Sequence, residues 1–396
     1  MIVRYEPWWA WVKLETSDAL VALDRDGVRA MGLDGGETWT RGAATWSAPI
    51  EVSLAVTSRC AAGCEGCYLD ARPDGVEPPR AVIEAQLEAL AAAGVFTVAF
   101  GGGEPTLRDD LGELARSARA RGMTPIATTS GLGVGARKIE QLTAFAQVNV
   151  SYDGASDAYE SVRGFDGSAA AESAIARLAA AGVVVGVNIV LTRATWERAG
   201  ETVRRAVALG ATEVQLLRYK PQGRARTLDY LAKRLLPEQA AALGELLRAL
   251  AAEHAGRARI RIDCALVPFL SADADLAARP EELAQWGVLG CEAGQLLGAA
   301  RIDGRMAACS FTAPTELRTE EVGLGWADDA RLGAYRAYVA APVEPCASCT
   351  LRAICKGGCK VVSEHATGEI GPDPECPRVR ALALALALAR SPEQPS

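Results

Sequence analysis

Residues 51–70 read EVSLAVTSRCAAGCEGCYLD. The β-rich run EVSLAVT predicts a strand ending at Thr57, and the loop that follows carries Cys60, Cys64 and Cys67 in a CxxxCxxC spacing. Three thiolates leave one iron of a 4Fe–4S cluster without a protein ligand, and an open iron can bind a substrate or cofactor where a closed four-cysteine site cannot. The loop falls at the carboxyl end of the strand, which is where α/β barrels carry their active sites. A three-cysteine zinc knuckle, or cysteines buried as small core residues, is the plainer alternative.

Working outward, the same strand-then-helix rhythm repeats from about residue 51 to 265. The β-rich runs are EVSLAVT, FTVAFGG, TPIATTS, QVNVSYD, VVVGVNIVLT and EVQLLRY. Helical patterns follow at 81–93, 108–121, 136–145, 168–181, 196–209 and 237–254, several closed by a glycine (Gly94, Gly122, Gly182, Gly210) as a helix C-terminus requires. Six alternating units predict an α/β domain with a parallel sheet and helices outside it. Residues 1–50 stand apart as a short, Trp-rich, β-rich cap. From 266 to 380 the rhythm stops and Gly, Pro and Cys rise, which predicts a second domain without a large apolar core, organised around metal. The remainder, 381–396, contains the apolar run ALALALALAR and reads as the end of a last packed helix and a tail.

The chain has 396 residues, ample for two to three domains, and its 49% hydrophobic and 23% charged composition is ordinary for a globular protein. A net charge of −7 with no basic run argues against nucleic acid and anionic membranes as partners. The N-terminus lacks the apolar run of a signal peptide, and no stretch of about 18 apolar residues predicts a membrane span. Eleven cysteines, an odd number and mostly clustered, point to metal ligands rather than disulfides. No GxGxxG follows the first strand, so no dinucleotide fingerprint is present.

The second strand ends in Phe100-Gly101-Gly102-Gly103-Glu104-Pro105, a turn whose glycines let a ligand approach the backbone. CxxxCxxC followed about 40 residues later by this turn resembles the radical S-adenosylmethionine (radical SAM) superfamily. The resemblance implies a partial (β/α)6 barrel, with the open iron chelating the amino and carboxylate groups of S-adenosylmethionine. It implies that Gly102, Gly103 and Glu104 help hold the amino group. It further implies that Ser151 and Arg163, after the fourth strand, contact the methionyl carboxylate, a role that suits a guanidinium fork, and that Ser130 lies near the ribose. One departure stands out. The family usually has an aromatic residue before the third cysteine, flanking adenine, and here that position is Gly66, with Tyr68 one residue beyond Cys67.

Downstream come Cys291, Gly304-x4-Cys309, Cys346-x2-Cys349-x5-Cys355-x3-Cys359 and Cys376. This arrangement is similar to the SPASM signature that follows some radical SAM barrels. The resemblance implies two auxiliary 4Fe–4S clusters, hence three in all. Cys346, Cys349, Cys355 and Cys376 would hold the distal one, and Cys291, Cys309 and Cys359 the one nearer the barrel. Cys264 either completes that nearer cluster or is a core residue. A zinc site is the alternative reading of CxxC-x5-CxxxC.

Relatives of this kind include peptide maturases, sulfatase maturases and enzymes of pyrroloquinoline quinone, mycofactocin and modified-haem synthesis. The resemblance therefore implies an enzyme that modifies a ribosomally made peptide or protein side chain, by crosslink, oxidation or rearrangement. A small molecule such as a porphyrin is the alternative substrate. Sulfatase maturation ranks lower, because Ser310 stands where those enzymes carry an Asp after the Gx4C cysteine. A flavodoxin or ferredoxin is the expected electron donor and a reducing cytoplasm the expected location. The short first region leaves room for a separate peptide-binding carrier protein. Gln215, Arg218 and Lys220 fall near the end of the sixth strand and face either the cavity or a salt-bridged rim. His254 and His365 read as packing or surface residues.

Overall fold

The computed structural model describes residues 1–14, 18–39 and 45–390. Expectations for 15–17, 40–44 and 391–396 lie outside the described residues. Two sheets are present. A small antiparallel one contains β1 (Ile2–Tyr5), β2 (Trp9–Lys13) and β3 (Leu20–Asp24) in sequence order. The large one has ten strands: β4 (Glu51–Thr57), β5 (Thr97–Gly102), β6 (Thr124–Thr129), β7 (Gln147–Ser151), β8 (Val185–Leu191), β9 (Glu213–Arg218), β10 (Arg259–Ile262), β11 (Leu297–Ala300), β12 (Arg305–Ala307) and β13 (Pro314–Arg318).

The six predicted strands β4 to β9 lie side by side in chain order and all in parallel, with helices between them. Each crossover helix shows why it packs. Leu111–Ala120 buries Leu111, Leu114, Ala115 and Ala118, the i, i+3, i+4, i+7 stripe of an amphipathic helix. Gly122 just past it adopts φ 82°, the left-handed conformation that ends a helix without a Cβ clash. In β4, Val52, Leu54 and Val56 are buried under this helical layer while the alternate residues face the barrel interior.

Beyond the six units, β10 adds in parallel to β9, and β11 adds in parallel to β4 through the register Leu297↔Glu51 to Ala300↔Leu54. The antiparallel strands β12 and β13 complete that edge. The cysteine-rich region is thus continuous with the barrel sheet. Its apolar residues are also continuous with the barrel core: Met306, Val322, Trp326, Leu332 and Leu351 are fully buried in one cluster with Leu54 and Phe100. The region was expected to lack a large apolar core of its own, and the apolar residues it does carry join the barrel core. Its side chains are buried against the barrel and not in a core of their own.

The N-terminal sheet closes the end of the barrel away from the cysteine loop. Arg4 Nη1 donates to Pro49 O (2.9 Å) and Gly94 O (2.8 Å), and Lys13 Nζ donates to Gly122 O (2.8 Å) and Thr124 Oγ1 (2.7 Å), all just before or at strand starts. The N-terminal cap therefore lies at the end of the barrel opposite the cysteine loop.

The run ALALALALAR is helical, within Pro377–Arg390, but not packed: Leu384, Leu386 and Leu388 are 63%, 47% and 67% exposed. Leucines two residues apart step about 200° around a helix, so they never line up as one apolar stripe. Among the described residues no helix is long and apolar enough to cross a membrane.

Candidate active site

The ends of β4 to β9 converge on a cavity of about 340 Å³ lined by Cys60, Cys64, Cys67, Gly101 to Glu104, Ser130, Ser151 and Arg163. Every cofactor-binding candidate of the barrel thus lines one space. The far wall comes from the cysteine-rich region: because β11 runs parallel to β4, its end delivers Arg301 to the level of the cysteine loop, with Ser310 and Phe311 beside it.

The cysteine loop is braced from three sides. Gly103 N donates to Thr57 O (2.7 Å) and Glu104 N to Arg59 O (2.8 Å). A Cβ on Gly102 or Gly103 would collide with those same carbonyls, so the glycines are needed for the close approach of the loop to β5. On a second side Glu65 N donates to Arg163 O (3.0 Å). On the third, Arg224 Nε donates to Cys64 O (2.8 Å), and its Nη1 donates to Ala71 O (3.1 Å) and pairs with Asp70 (2.8 Å). Arg224 was not legible as a site residue, since nothing in its sequence neighbourhood marks it.

Glu104 is a brace as well. One carboxylate oxygen accepts from Thr106 N (3.2 Å), Thr106 Oγ1 (2.7 Å) and Thr129 Oγ1 (2.7 Å), and the other from Ser130 N (2.8 Å) and Ser130 Oγ (2.6 Å). It fixes the end of β6 to the end of β5 and orients Ser130 at the cavity edge. Arg163 is oriented in turn by Asp153, which is fully buried: Nε donates to Asp153 Oδ2 at 2.6 Å, while Val190 N donates to Oδ1 at 2.7 Å. Burial opposes charge on Arg163, but the Asp153 anion outweighs it and raises the guanidinium pKa, so a permanent cation faces the cavity.

The aromatic residue missing at position 66 has a structural counterpart. A Cβ on Gly66 would lie 2.8 Å and 3.0 Å from ring carbons of Tyr219, and closer still to its Oη. Gly66 is not among the glycines with positive φ, so the space taken by Tyr219 is what excludes a side chain there. Tyr68, on the same loop, stacks on Phe311 with ring centroids 4.5 Å apart, and burial raises its phenol pKa to about 12. Lys220 Nζ lies 4.4 Å from the Phe311 ring and pairs with the buried Asp263. Of the three polar candidates near the end of β9, Lys220 reaches the cavity. Arg218 lines it in part, but its charge is spent on Asp373 (2.6 Å) and Glu375 (2.8 Å) in the cysteine-rich region. Gln215 does not line the cavity. His254 is buried and His365 lies edge-on to Tyr230, both at a distance from the site.

All eleven cysteines are free thiols. Besides the loop three, Cys346, Cys349, Cys355 and Cys376 surround one small cavity of about 20 Å³. Cys264, Cys291, Cys309 and Cys359 form the remaining group: after burial, the charge of Cys291 is the largest influence raising the thiol pKa of both Cys264 and Cys309, and it acts on Cys359 too. Burial is the main cause in each case, pushing Cys359 up to about 12 and Cys264 well above an ordinary thiol. Burying so many thiols without disulfides fits soft-metal ligation, in which iron displaces the protons. Among the described residues no three Cys, His, Asp or Glu converge tightly enough for a single metal ion. Thiolates on a cubane each bind a different iron and stand farther apart.

Residues 54–206 match the profile of the Radical SAM superfamily. A PqqA peptide cyclase of Methylocella silvestris is 33% identical over 176 residues, 42% of this chain and 47% of that protein. The PqqA peptide cyclase of Ruegeria pomeroyi is 27% identical over 354 residues, spanning 84% of this chain and 88% of its own length. The crystal structure of Streptococcus suis SuiB bound to precursor peptide SuiA superposes with a TM-score of 0.75 over 95% of this chain and 98% of that one, at 18% identity. The likeness of fold extends beyond the profile match and across the cysteine-rich region. With its three loop thiols and glycine-rich turn meeting at the carboxyl ends of a parallel sheet, the chain carries a radical SAM domain over residues 54–206, the domain of enzymes that work with a 4Fe–4S cluster and S-adenosylmethionine.

Proposed function

We propose that this enzyme modifies a ribosomally made peptide by hydrogen abstraction, using three 4Fe–4S clusters. The observation that carries the reading is the single cavity bounded on one side by the cysteine loop and glycine-rich turn, and on the other by Arg301, Ser310 and Phe311 of the cysteine-rich region. A cofactor and a substrate segment can meet there and nowhere else among the described cavities. The names of the relatives, peptide cyclases and a protein bound to its precursor peptide, support a peptide as substrate.

When bound, the loop cluster and S-adenosylmethionine supply a 5′-deoxyadenosyl radical. Cys60, Cys64 and Cys67 would hold that cluster at the mouth of the barrel. Arg163, locked by Asp153, takes the methionyl carboxylate with Ser151 beside it. Glu104 keeps Ser130 aimed at the ribose, while Gly102 and Gly103 let the amino group approach the backbone. Tyr219 stands as the aromatic wall beside the loop. On the far wall Arg301 donates to the carbonyls of Ser310 and Thr312 and has no ion-pair partner among the described residues, leaving its charge to orient a substrate group.

Cys346, Cys349, Cys355 and Cys376 would hold the distal auxiliary cluster, and Cys291, Cys309, Cys359 and Cys264 the nearer one. When bound, these centres would supply an acceptor for the second electron of a two-electron oxidation. In this division, 1–50 supports the barrel end, 51–265 is the radical SAM barrel, 266–380 the auxiliary-cluster domain and 381–396 the terminal helix end and tail. A flavodoxin or ferredoxin delivers electrons, a separate carrier protein presents the peptide, and a reducing cytoplasm protects the clusters.

The test is anaerobic reconstitution, reduction, and incubation with short peptides encoded beside this gene, followed by mass spectrometry. A mass change in one peptide, dependent on S-adenosylmethionine, is expected. Steady formation of 5′-deoxyadenosine with no change in any such peptide would reject the peptide reading.

A further inference from the structure

Lys360 is only 2% exposed, and a lysine is almost never so buried without a charged partner. It follows Cys359 and opens the helix Lys360–Thr367. Its Nζ donates to two neutral acceptors, Lys356 O at 2.8 Å and Gly358 O at 3.2 Å, and lies 4.1 Å from the centre of the Tyr338 ring. Asp373, the acid whose charge it feels, is itself committed to Arg218 at 2.6 Å. Among the described residues Lys360 has no ion pair of its own. Two carbonyls and a ring face repay only part of the cost of taking an ammonium out of water.

Its other electrostatic neighbours are Cys291, Cys355 and Cys359. Cys355 belongs to the four cysteines around the small cavity, and Cys291 and Cys359 to the second group. Gly357 lines that small cavity, and a Cβ on it would lie 3.0 Å from Lys360 Nζ. The ammonium therefore sits in the wall between two sets of thiols.

We propose that Lys360 is the electrostatic positioning residue of the auxiliary centres: its buried cation stands between the two cysteine groups and makes both clusters easier to reduce. This rests on those cysteines being the ligands of two clusters. A cluster with four thiolates is an anion that gains one further negative charge on one-electron reduction. A fixed cation in a low-dielectric interior favours the reduced form over the oxidised one. No bond forms or breaks at Lys360. The electron enters the cluster and the charge it brings is met by one already in place.

The test is an EPR-monitored redox titration of the reconstituted full-length enzyme, with iron and sulfide determined in parallel. Lys360→Gln keeps donors for the carbonyls of Lys356 and Gly358 but removes the charge; Lys360→Arg keeps the charge. In K360Q with wild-type iron content, the reduced-to-oxidised ratio of an auxiliary centre at the wild-type midpoint is expected to fall roughly tenfold, on the order of 59 mV for a one-electron couple. K360R is expected to titrate near wild type. K360Q titrating as wild type, or K360R losing iron as readily as K360Q, would overturn the proposal and leave Lys360 a structural tie. Wild-type protein that holds four irons, and not about twelve, would overturn the cluster reading and the proposal with it.

Discussion

Exchanging bulk between Gly66 and Tyr219 tests how the cofactor cavity replaces an aromatic residue missing from its cysteine loop. Gly66→Phe puts a Cβ within 2.8 Å and 3.0 Å of Tyr219 ring carbons. Overpacking of this kind costs ~1–3 kcal/mol, here by displacing either the loop or the tyrosine. Tyr219→Ala removes the ring altogether. If that ring is the stacking platform for the adenine, its loss costs ~1–3 kcal/mol, as base–aromatic stacking does elsewhere, which is roughly 5- to 150-fold in kcat/KM. The double variant G66F/Y219A clears the obstacle and returns an aromatic side chain to the same space from the cysteine loop. It is expected to recover to within about fivefold of wild type, a positive coupling of the size seen for residues in contact. The assay is 5′-deoxyadenosine formation against S-adenosylmethionine concentration under dithionite, with iron content matched. A double variant as poor as the product of the two single losses would refute the reasoning, as would a Gly66→Phe enzyme that works normally.

Asp153→Asn removes the anion that orients Arg163 at 2.6 Å; a hydrogen bond to a charged group is worth ~1.5–3 kcal/mol, so the KM for S-adenosylmethionine should rise about 10-fold or more with kcat less affected, and an unchanged KM would remove Arg163 from the carboxylate site. Arg224→Ala strips the donors to Cys64 O and Ala71 O and should shorten the lifetime of the visible iron–sulfur absorbance in air, measured beside wild type, without altering the auxiliary signals. Cys264→Ala should lower iron from about twelve toward about eight per chain; full iron content would make Cys264 a packing residue. Arg301→Gln should leave cleavage of S-adenosylmethionine intact while lowering modification of the peptide substrate at least several-fold, and an equal loss in both assays would place Arg301 with the cofactor instead.

The barrel was legible because each of its strands is a β-rich run and each helix repeats its own apolar stripe, so local pattern and tertiary burial agree. Strands β11 to β13 were not. LGAA, RMA and PTELR contain no β-branched residue except Thr315, and they are strands because the edge of β4 offers a template. The same tertiary dependence hid Arg224, Tyr219 and Lys360, whose roles come from partners roughly 140 to 160 residues distant in the first two cases and from burial in the third. The cysteine spacings carried more, because the chain must return to a cluster at short, fixed intervals. Even so, spacing alone left Cys264 ambiguous, because its placement beside Cys291 and Cys359 depends on the fold. The Ala–Leu run misled for the opposite reason: composition suggested burial, while the two-residue repeat scattered the leucines around the helix.

The pairing of β11 with β4 has a practical consequence for dissecting the enzyme. Ile50 N and Glu51 N both donate to Leu296 O, and the ladder runs from there to Ala300 and Leu54, directly beneath the cysteine loop. A fragment cut after residue 265 would strip this neighbour away and expose an apolar row of unpaired amides and carbonyls, the kind of border that recruits other chains into aggregates. Attempts to express the radical-generating half alone, or to graft auxiliary halves between relatives at that boundary, should therefore yield insoluble protein unless β11 travels with the barrel.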